Sequence, residues 1–377
     1  MIYLDNAATT NPKPAAVQQA VHHALAALSA NPGRSGHRLS VASAEAVFRA
    51  REAAAEFFGL EDPSHVIFTA GCTAAINQVL KGVLQPGDRV VISNLEHNAV
   101  MRPLASMGVE YESFAVEADD AQTLENLKKA VQSDTKMVFV TGASNVTGKR
   151  LPIRKIGAFC RENGLLFGVD AAQTAGVTDI DMARDGIDFL CVAGHKGLYA
   201  PMGIGILLTR LSLRPILQGG TGTESKDFKQ PETLPEALES GTPNLPGIAG
   251  LLAGIGFVRT RGVAAIAAHE MALTRRLYAG LRELPHIALY TPPPTAETAV
   301  GVLSFNVRGI PSDAVADYLD KNGVAVRAGL HCAPTAHRAI GTLPYGTVRV
   351  AFSAFSEAAQ ADFLLLLLKR AKNIEIL

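Results

Sequence analysis

The chain has 377 residues, of which 48% are apolar and 19% charged, and its 35 Lys plus Arg balance 35 Asp plus Glu. That balance excludes a generic polyanion binder, which carries a basic surplus, and the apolar content excludes a disordered acidic chain. Length points to two or three domains.

Helix and strand patterns alternate through the first part of the chain. Residues 41–58 are Ala-rich with Arg49, Arg51 and Glu52 on one side, which predicts an amphipathic helix. A short strand is expected at 66–68, then a helix at 73–84 that stops at Gln85-Pro86-Gly87-Asp88. Strands follow at 89–93, 109–114 and 136–141, separated by helices at 99–107 and 124–131. A helix at 153–163 is closed by Gly164, and strands follow at 165–169, 189–192 and 203–209. Short apolar strands spaced by helices imply a mostly parallel sheet buried on both faces. Residues 218–246 are rich in Gly, Pro, Thr and Glu and read as a long functional loop. Beyond it the pattern predicts a helix at 250–284, a strand at 300–306, a helix at 312–321, a strand at 348–352 and a closing helix at 363–372. This tail is expected to form a smaller α+β unit. The first 14 residues show no regular pattern and are open to joining either unit.

The cysteines, Cys72, Cys160, Cys191 and Cys332, are too few and too scattered for a disulfide scaffold, and none forms a Cys-x-x-Cys zinc pair. Met1 to Asp5 lacks the basic and apolar regions of a signal peptide, and the apolar run 363–368 is far below the roughly 20 residues that span a bilayer. The expectation is a soluble, cytoplasmic protein with no membrane and no direct nucleic-acid partner.

Chemistry enters with Asp170, at the end of an apolar strand, and Lys196, just beyond the next one. Pyridoxal phosphate chemistry uses such a pair: the lysine condenses with the aldehyde and the acid keeps the pyridine nitrogen protonated. Taken alone, the pair fits a strand-end acid and an ordinary surface lysine better. Thr69-Ala70-Gly71-Cys72-Thr73 lies between a strand and a helix, where backbone N–H groups and a hydroxyl can receive an anion. Alone it reads equally as a capping turn with Thr73 as N-cap. Glu96-His97-Asn98 follows another strand, and Asn145 follows the 138–140 run. All of these fall at the C-terminal ends of predicted parallel strands, where open α/β sheets bind ligands.

Together with Tyr3-Leu4-Asp5-Asn6-Ala7-Ala8-Thr9-Thr10, Ser144-Asn145-Val146-Thr147-Gly148, Asp170-Ala171-Ala172-Gln173, Gly194-His195-Lys196, Ser240-Gly241-Thr242-Pro243-Asn244 and Arg327-Ala328-Gly329-Leu330-His331-Cys332-Ala333, these residues carry a resemblance. The chain resembles the cysteine desulfurase and selenocysteine lyase family of the class V aminotransferase group, which has the pyridoxal-phosphate-dependent fold type I. The short cysteine loop is most similar to the SUF-type (group II) desulfurases. The resemblance implies a large domain at 15–255 with a mostly parallel seven-stranded sheet, and a small domain of 1–14 plus 256–377. It implies pyridoxal 5'-phosphate as cofactor and a homodimer with shared active sites. It implies L-cysteine or L-selenocysteine as substrate, an unidentified sulfur-acceptor protein, and a part in sulfur mobilisation for iron–sulfur cluster assembly.

Residue by residue, the resemblance makes Lys196 the Schiff-base lysine, Asp170 the partner of the pyridinium nitrogen and Gln173 a donor to the ring oxygen. His97 stacks on the ring and takes part in proton transfer. Thr73, His195 and the backbone at Cys72 hold the phosphate, with Thr242 reaching it from the neighbouring subunit. Asn145 and Arg349 bind the substrate carboxylate, Arg349 as a bidentate clamp. Cys332 takes the sulfur as a persulfide. It lies beside His331 with Arg327 nearby, and cationic neighbours favour a thiolate. Cys160 and Cys191 read as packing residues, and the Cys72 side chain as filler. Two positions depart from the family: Ala193 stands where a phosphate-binding hydroxyl is common, with Thr221 or Thr223 as substitutes, and Leu330 stands where group II has a histidine. Selenocysteine lyase uses the same site without relying on Cys332. A transaminase or epimerase makes no use of Cys332, and Lys196 argues against a non-enzymatic scaffold or sulfur-relay protein with the same fold, because a degenerate site often loses this lysine.

Overall fold

The computed structural model describes residues 1–33 and 35–371. At its centre lies a seven-stranded sheet in the order Val66–Thr69, Gly205–Thr209, Phe189–Ala193, Leu166–Asp170, Thr135–Thr141, Arg89–Ser93 and Glu110–Phe114. The pairings are parallel except at Gly205–Thr209, which runs antiparallel to both neighbours. Successive side chains enter opposite cores. Val138 and Val140 pack with Phe58, Val169 and Leu190 on one face, while Phe139 joins Ile76, Val79 and Phe189 on the other. Both faces are apolar, so the inner strands read as continuous apolar runs and are covered on both sides, while the edge strand Glu110–Phe114 is exposed except at Phe114.

A second sheet, all antiparallel, has the order Arg327–Gly329, Thr347–Ala351, Val302–Val307 and Ile287–Leu289. Its core holds Phe305, Val315, Leu319, Val348, Val350 and Leu364. The patternless N-terminal segment belongs here in part: Ile2–Tyr3 pairs in parallel with Val324–Ala325, and Leu4 enters this core.

Two elements differ from the expectations. The stretch 250–284 is two helices, Leu245–Arg261 and Val263–Arg282, meeting at 78°. Gly262 adopts φ 85° at the break, a left-handed backbone that favours glycine. Both helices are apolar, so periodicity alone runs through the corner. The helix Ala15–Ala27 also goes unread, because it starts after Pro14 with no side-chain cap and no acid in its first turn. The closing helix is Ala358–Arg370, and Lys372, its expected end, lies outside the described residues. Among the described residues no single helix is long and apolar enough to cross a membrane, although the bent pair passes that test jointly; its Leu251, Ile255 and Leu277 are buried in the cores.

Candidate active site

A cavity of about 480 Å³ opens at the C-terminal ends of the parallel strands. Asp170 ends its strand on the cavity wall, and its Oδ1 accepts from Ala172 N at 2.9 Å and from Cys72 Sγ at 3.3 Å. Cys72 opens the helix Cys72–Val83, whose N-cap, Gly71, offers no side-chain cap, and Thr73 beside it is exposed. Burial first, then the Asp170 charge, pushes the Cys72 thiol well above its ordinary pKa. Cys72 is therefore a protonated hydrogen-bond donor, which corrects its reading as filler.

His97 caps the helix Asn98–Met107, its Nδ1 accepting from Ala99 N at 3.0 Å. A neutral ring so engaged carries its proton on Nε2. Burial lowers the His97 pKa and Asp170 opposes that effect. His195 and Lys196 follow Phe189–Ala193 into the cavity. Burial lowers the Lys196 pKa, which favours the free amine, with Asp170 again opposing. His195 is pushed down to about 4, by burial and then by Lys196 and Lys13. Gln173 lines the cavity and donates through Nε2 to Ala7 O at 3.0 Å.

Asn145 also lines the cavity, and its Nδ2 donates to His331 O at 2.7 Å. Arg349 sits one layer behind. It is 1% exposed, and its guanidinium donates to Asn145 O at 3.1 Å and to Asp5 Oδ1 at 2.7 Å. Its Nε has no partner among the described residues. Cys332 is exposed, and its Sγ lies 3.7 Å from the Arg327 guanidinium. The Cys332 carbonyl accepts from Asn98 N at 2.7 Å, which ties this loop to the His97 turn. His331 and Cys332 both adopt left-handed backbone, φ 48° and 58°. The buried His331 ring bonds through Nε2 to Thr347 O at 3.0 Å.

The structure thus gathers Cys72, Thr73, His97, Asn145, Asp170, Gln173, His195 and Lys196 on one cavity, with Arg349 and Cys332 in the layer next to it. Thr242 is exposed and off the wall of its own chain's cavity. Thr221 and Thr223 bond each other and do not line their own chain's cavity. Cys160 and Cys191 are buried in the two cores. Two participants escaped the sequence reading. Asp5 sits inside the opening motif, where nothing local marks it as a partner of Arg349, and that pairing spans most of the chain. Lys13 lies between two prolines, where no periodicity marks it.

The family model for class-V aminotransferases matches residues 2–364. The chain belongs to the class-V aminotransferase family. Among curated members, this class-V protein is 32% identical to a probable cysteine desulfurase of Methanothermobacter thermautotrophicus, over 96% of this chain and 92% of that one. It is 32% identical to another from Pyrococcus abyssi, over 97% and 92%. A solved cysteine desulfurase of Thermococcus onnurineus superposes with TM-score 0.89 at 31% identity, over 98% and 94% of the two chains. The Escherichia coli cysteine desulfurase CsdA gives TM-score 0.87 at 27% identity, again over 98% and 94%.

Proposed function

We propose that this class-V enzyme is a cysteine desulfurase acting in the cytoplasm. It converts L-cysteine to L-alanine and collects the sulfur on Cys332 for an acceptor protein. One arrangement carries this reading: Lys196 and Asp170 share a cavity whose His97 turn holds the Cys332 loop through Asn98.

The residues fit pyridoxal 5'-phosphate. His195 Nδ1 is buried with no partner among the described residues, the helix at Cys72 starts uncapped on the cavity, and Asp170 Oδ2 is left free by Cys72 and Ala172. Thr73, His195 and the first N–H groups of that helix hold the phosphate. Asp170 holds the pyridine nitrogen, Gln173 the ring oxygen and His97 the ring face, and Thr242 of a second copy completes the phosphate site in a homodimer. When bound, the cofactor supplies an aldehyde for Lys196 and an electron sink for the substrate carbons.

The chain's own residues do the rest. Arg349, oriented by Asp5, and Asn145 receive the substrate carboxylate. Lys196 Nζ, whose pKa burial lowers, accepts the proton from the substrate α-carbon. The Cys332 thiolate attacks the substrate Sγ, so an S–S bond forms and the Cβ–Sγ bond breaks. The electron pair of that bond stays with the carbon fragment, which takes up a proton and leaves as alanine. The balance is L-cysteine plus Cys332 thiol giving L-alanine plus Cys332 persulfide.

The test compares wild type with Cys332→Ala on L-cysteine and on L-selenocysteine, following alanine and released sulfide or selenide. We expect cysteine turnover to collapse in the variant. Undiminished cysteine turnover overturns the role of Cys332. Selenocysteine turnover that survives the variant, with little activity on cysteine, identifies a selenocysteine lyase instead. Turnover that requires a 2-oxo acid identifies a transaminase.

A further inference from the structure

Lys13 lies outside the cavity wall, and the mechanism above does not use it. Its Nζ donates to His195 O at 2.8 Å and to Thr10 Oγ1 at 2.9 Å. No carboxylate lies within ion-pair distance of it among the described residues. Burial pushes its pKa down to about 8. A cation withdrawn from water without a counter-ion is costly, so its placement calls for a reason.

Satisfying the carbonyl is not that reason. His195 O already accepts from Thr10 N at 3.1 Å and from Thr9 Oγ1 at 3.1 Å, and Thr10 Oγ1 also donates to Lys196 O at 3.1 Å. A carbonyl has two lone pairs, and neutral donors fill both. What Lys13 adds is a charged third bond, shorter than the neutral ones, that ties this carbonyl to Thr10 Oγ1 directly behind the residue that precedes Lys196. The charged groups acting on His195 are Lys196, next in the chain, and Lys13, from the N-terminal segment. Both oppose its protonation. Asp170 and His97 share the cavity wall with it.

We propose that Lys13 is a positioning residue for the His195–Lys196 turn: its ammonium bridges the His195 carbonyl and Thr10 Oγ1 and ties the turn to the N-terminal segment, so that the His195 ring and the Lys196 amine face the cavity in one fixed orientation. A neutral ring carries one N–H, and its orphaned Nδ1 is the atom available to an anion. The proposal rests on the reading of this cavity as a pyridoxal phosphate site, but its first test does not.

In cofactor-free protein labelled with ¹³C-histidine, NMR follows the His195 ring against pH. Wild type should stay neutral down to about pH 4, and Lys13→Met should protonate at higher pH, because a repelling cation is gone. Pyridoxal 5'-phosphate is then titrated into both proteins. Losing one charged hydrogen bond predicts roughly tenfold weaker binding in Lys13→Met, and a chromophore with Lys196 whose absorbance titrates at higher pH. Lys13→Arg, which keeps the charge, should restore both. An unchanged His195 titration together with unchanged affinity overturns the proposal. If Lys13→Met loses its cooperative melt, Lys13→Gln is measured the same way and decides. Wild-type protein that binds no pyridoxal 5'-phosphate overturns the functional reading instead, and the His195 titration still judges Lys13.

Discussion

Glu96 is fully buried beside His97, where Ser93 Oγ and Thr141 N both donate to its Oε1 while Oε2 has no partner among the described residues. Burial pushes its pKa up to about 8, against an ordinary 4.5. Between those values the folded chain binds a proton that the unfolded chain has released. Stability from this group is therefore full below about pH 4.5 and is lost as pH rises towards 8. Glu96→Gln keeps the shape and removes the titration. Urea melts at several pH values should show wild type losing up to about 1.4 kcal/mol per pH unit through that window, and the variant a shallower slope. Equal slopes would contradict this assignment. Glu270, also pushed up to about 8 by burial, adds a second contribution of the same sign.

The corner at Gly262 shows what periodicity can and cannot reveal about an element. A Cβ on Gly262 would meet only Ala265 Cβ at 3.8 Å, so the site has room, and the obstacle is its φ of 85°. Gly262→Ala should cost about 1–2 kcal/mol from backbone strain alone, seen as a lower urea midpoint with an unchanged m-value. A midpoint equal to wild type would mean that the corner relaxes. The chain order of strands and helices from 66 to 209 was legible because the strands are short and punctuated by turn residues, and all but the exposed edge strand Glu110–Phe114 are largely apolar. The two-residue strands Ile2–Tyr3 and Val324–Ala325 were not, since two residues carry no period. Asp170, Lys196 and His97 were legible because each lies at a strand end. The Cys72 bond to Asp170 and the Asp5 bond to Arg349 were not, because they join distant positions that only the finished sheet brings together.

Across the whole molecule, the first 13 residues act as a strap. Ile2 and Tyr3 form a two-stranded sheet with Val324 and Ala325, Asp5 holds Arg349, Ala7 O receives Gln173, and Thr9, Thr10 and Lys13 hold the His195 carbonyl. The two-domain division we propose, 15–255 against 1–14 with 256–377, makes this strap the link between both units and the cavity. A chain starting at Pro14 should retain the seven-stranded sheet, with helical and sheet content visible by circular dichroism. It should bind pyridoxal 5'-phosphate at least about tenfold more weakly, having lost a charged hydrogen bond at the lysine turn. Equal affinity would show that the strap plays no part in shaping the cavity.

The Cys332 loop carries a last consequence. Its carbonyl is moored to Asn98, and the neighbouring His331 is locked against Thr347. On the proposed reading, the sulfur is therefore loaded onto a fixed pier rather than a swinging arm. A pier cannot travel to its cargo's destination. The acceptor must bring its own thiol to the exposed rim where Cys332 stands, and the shape of that rim, more than any reach of the loop, selects which proteins can collect the sulfur.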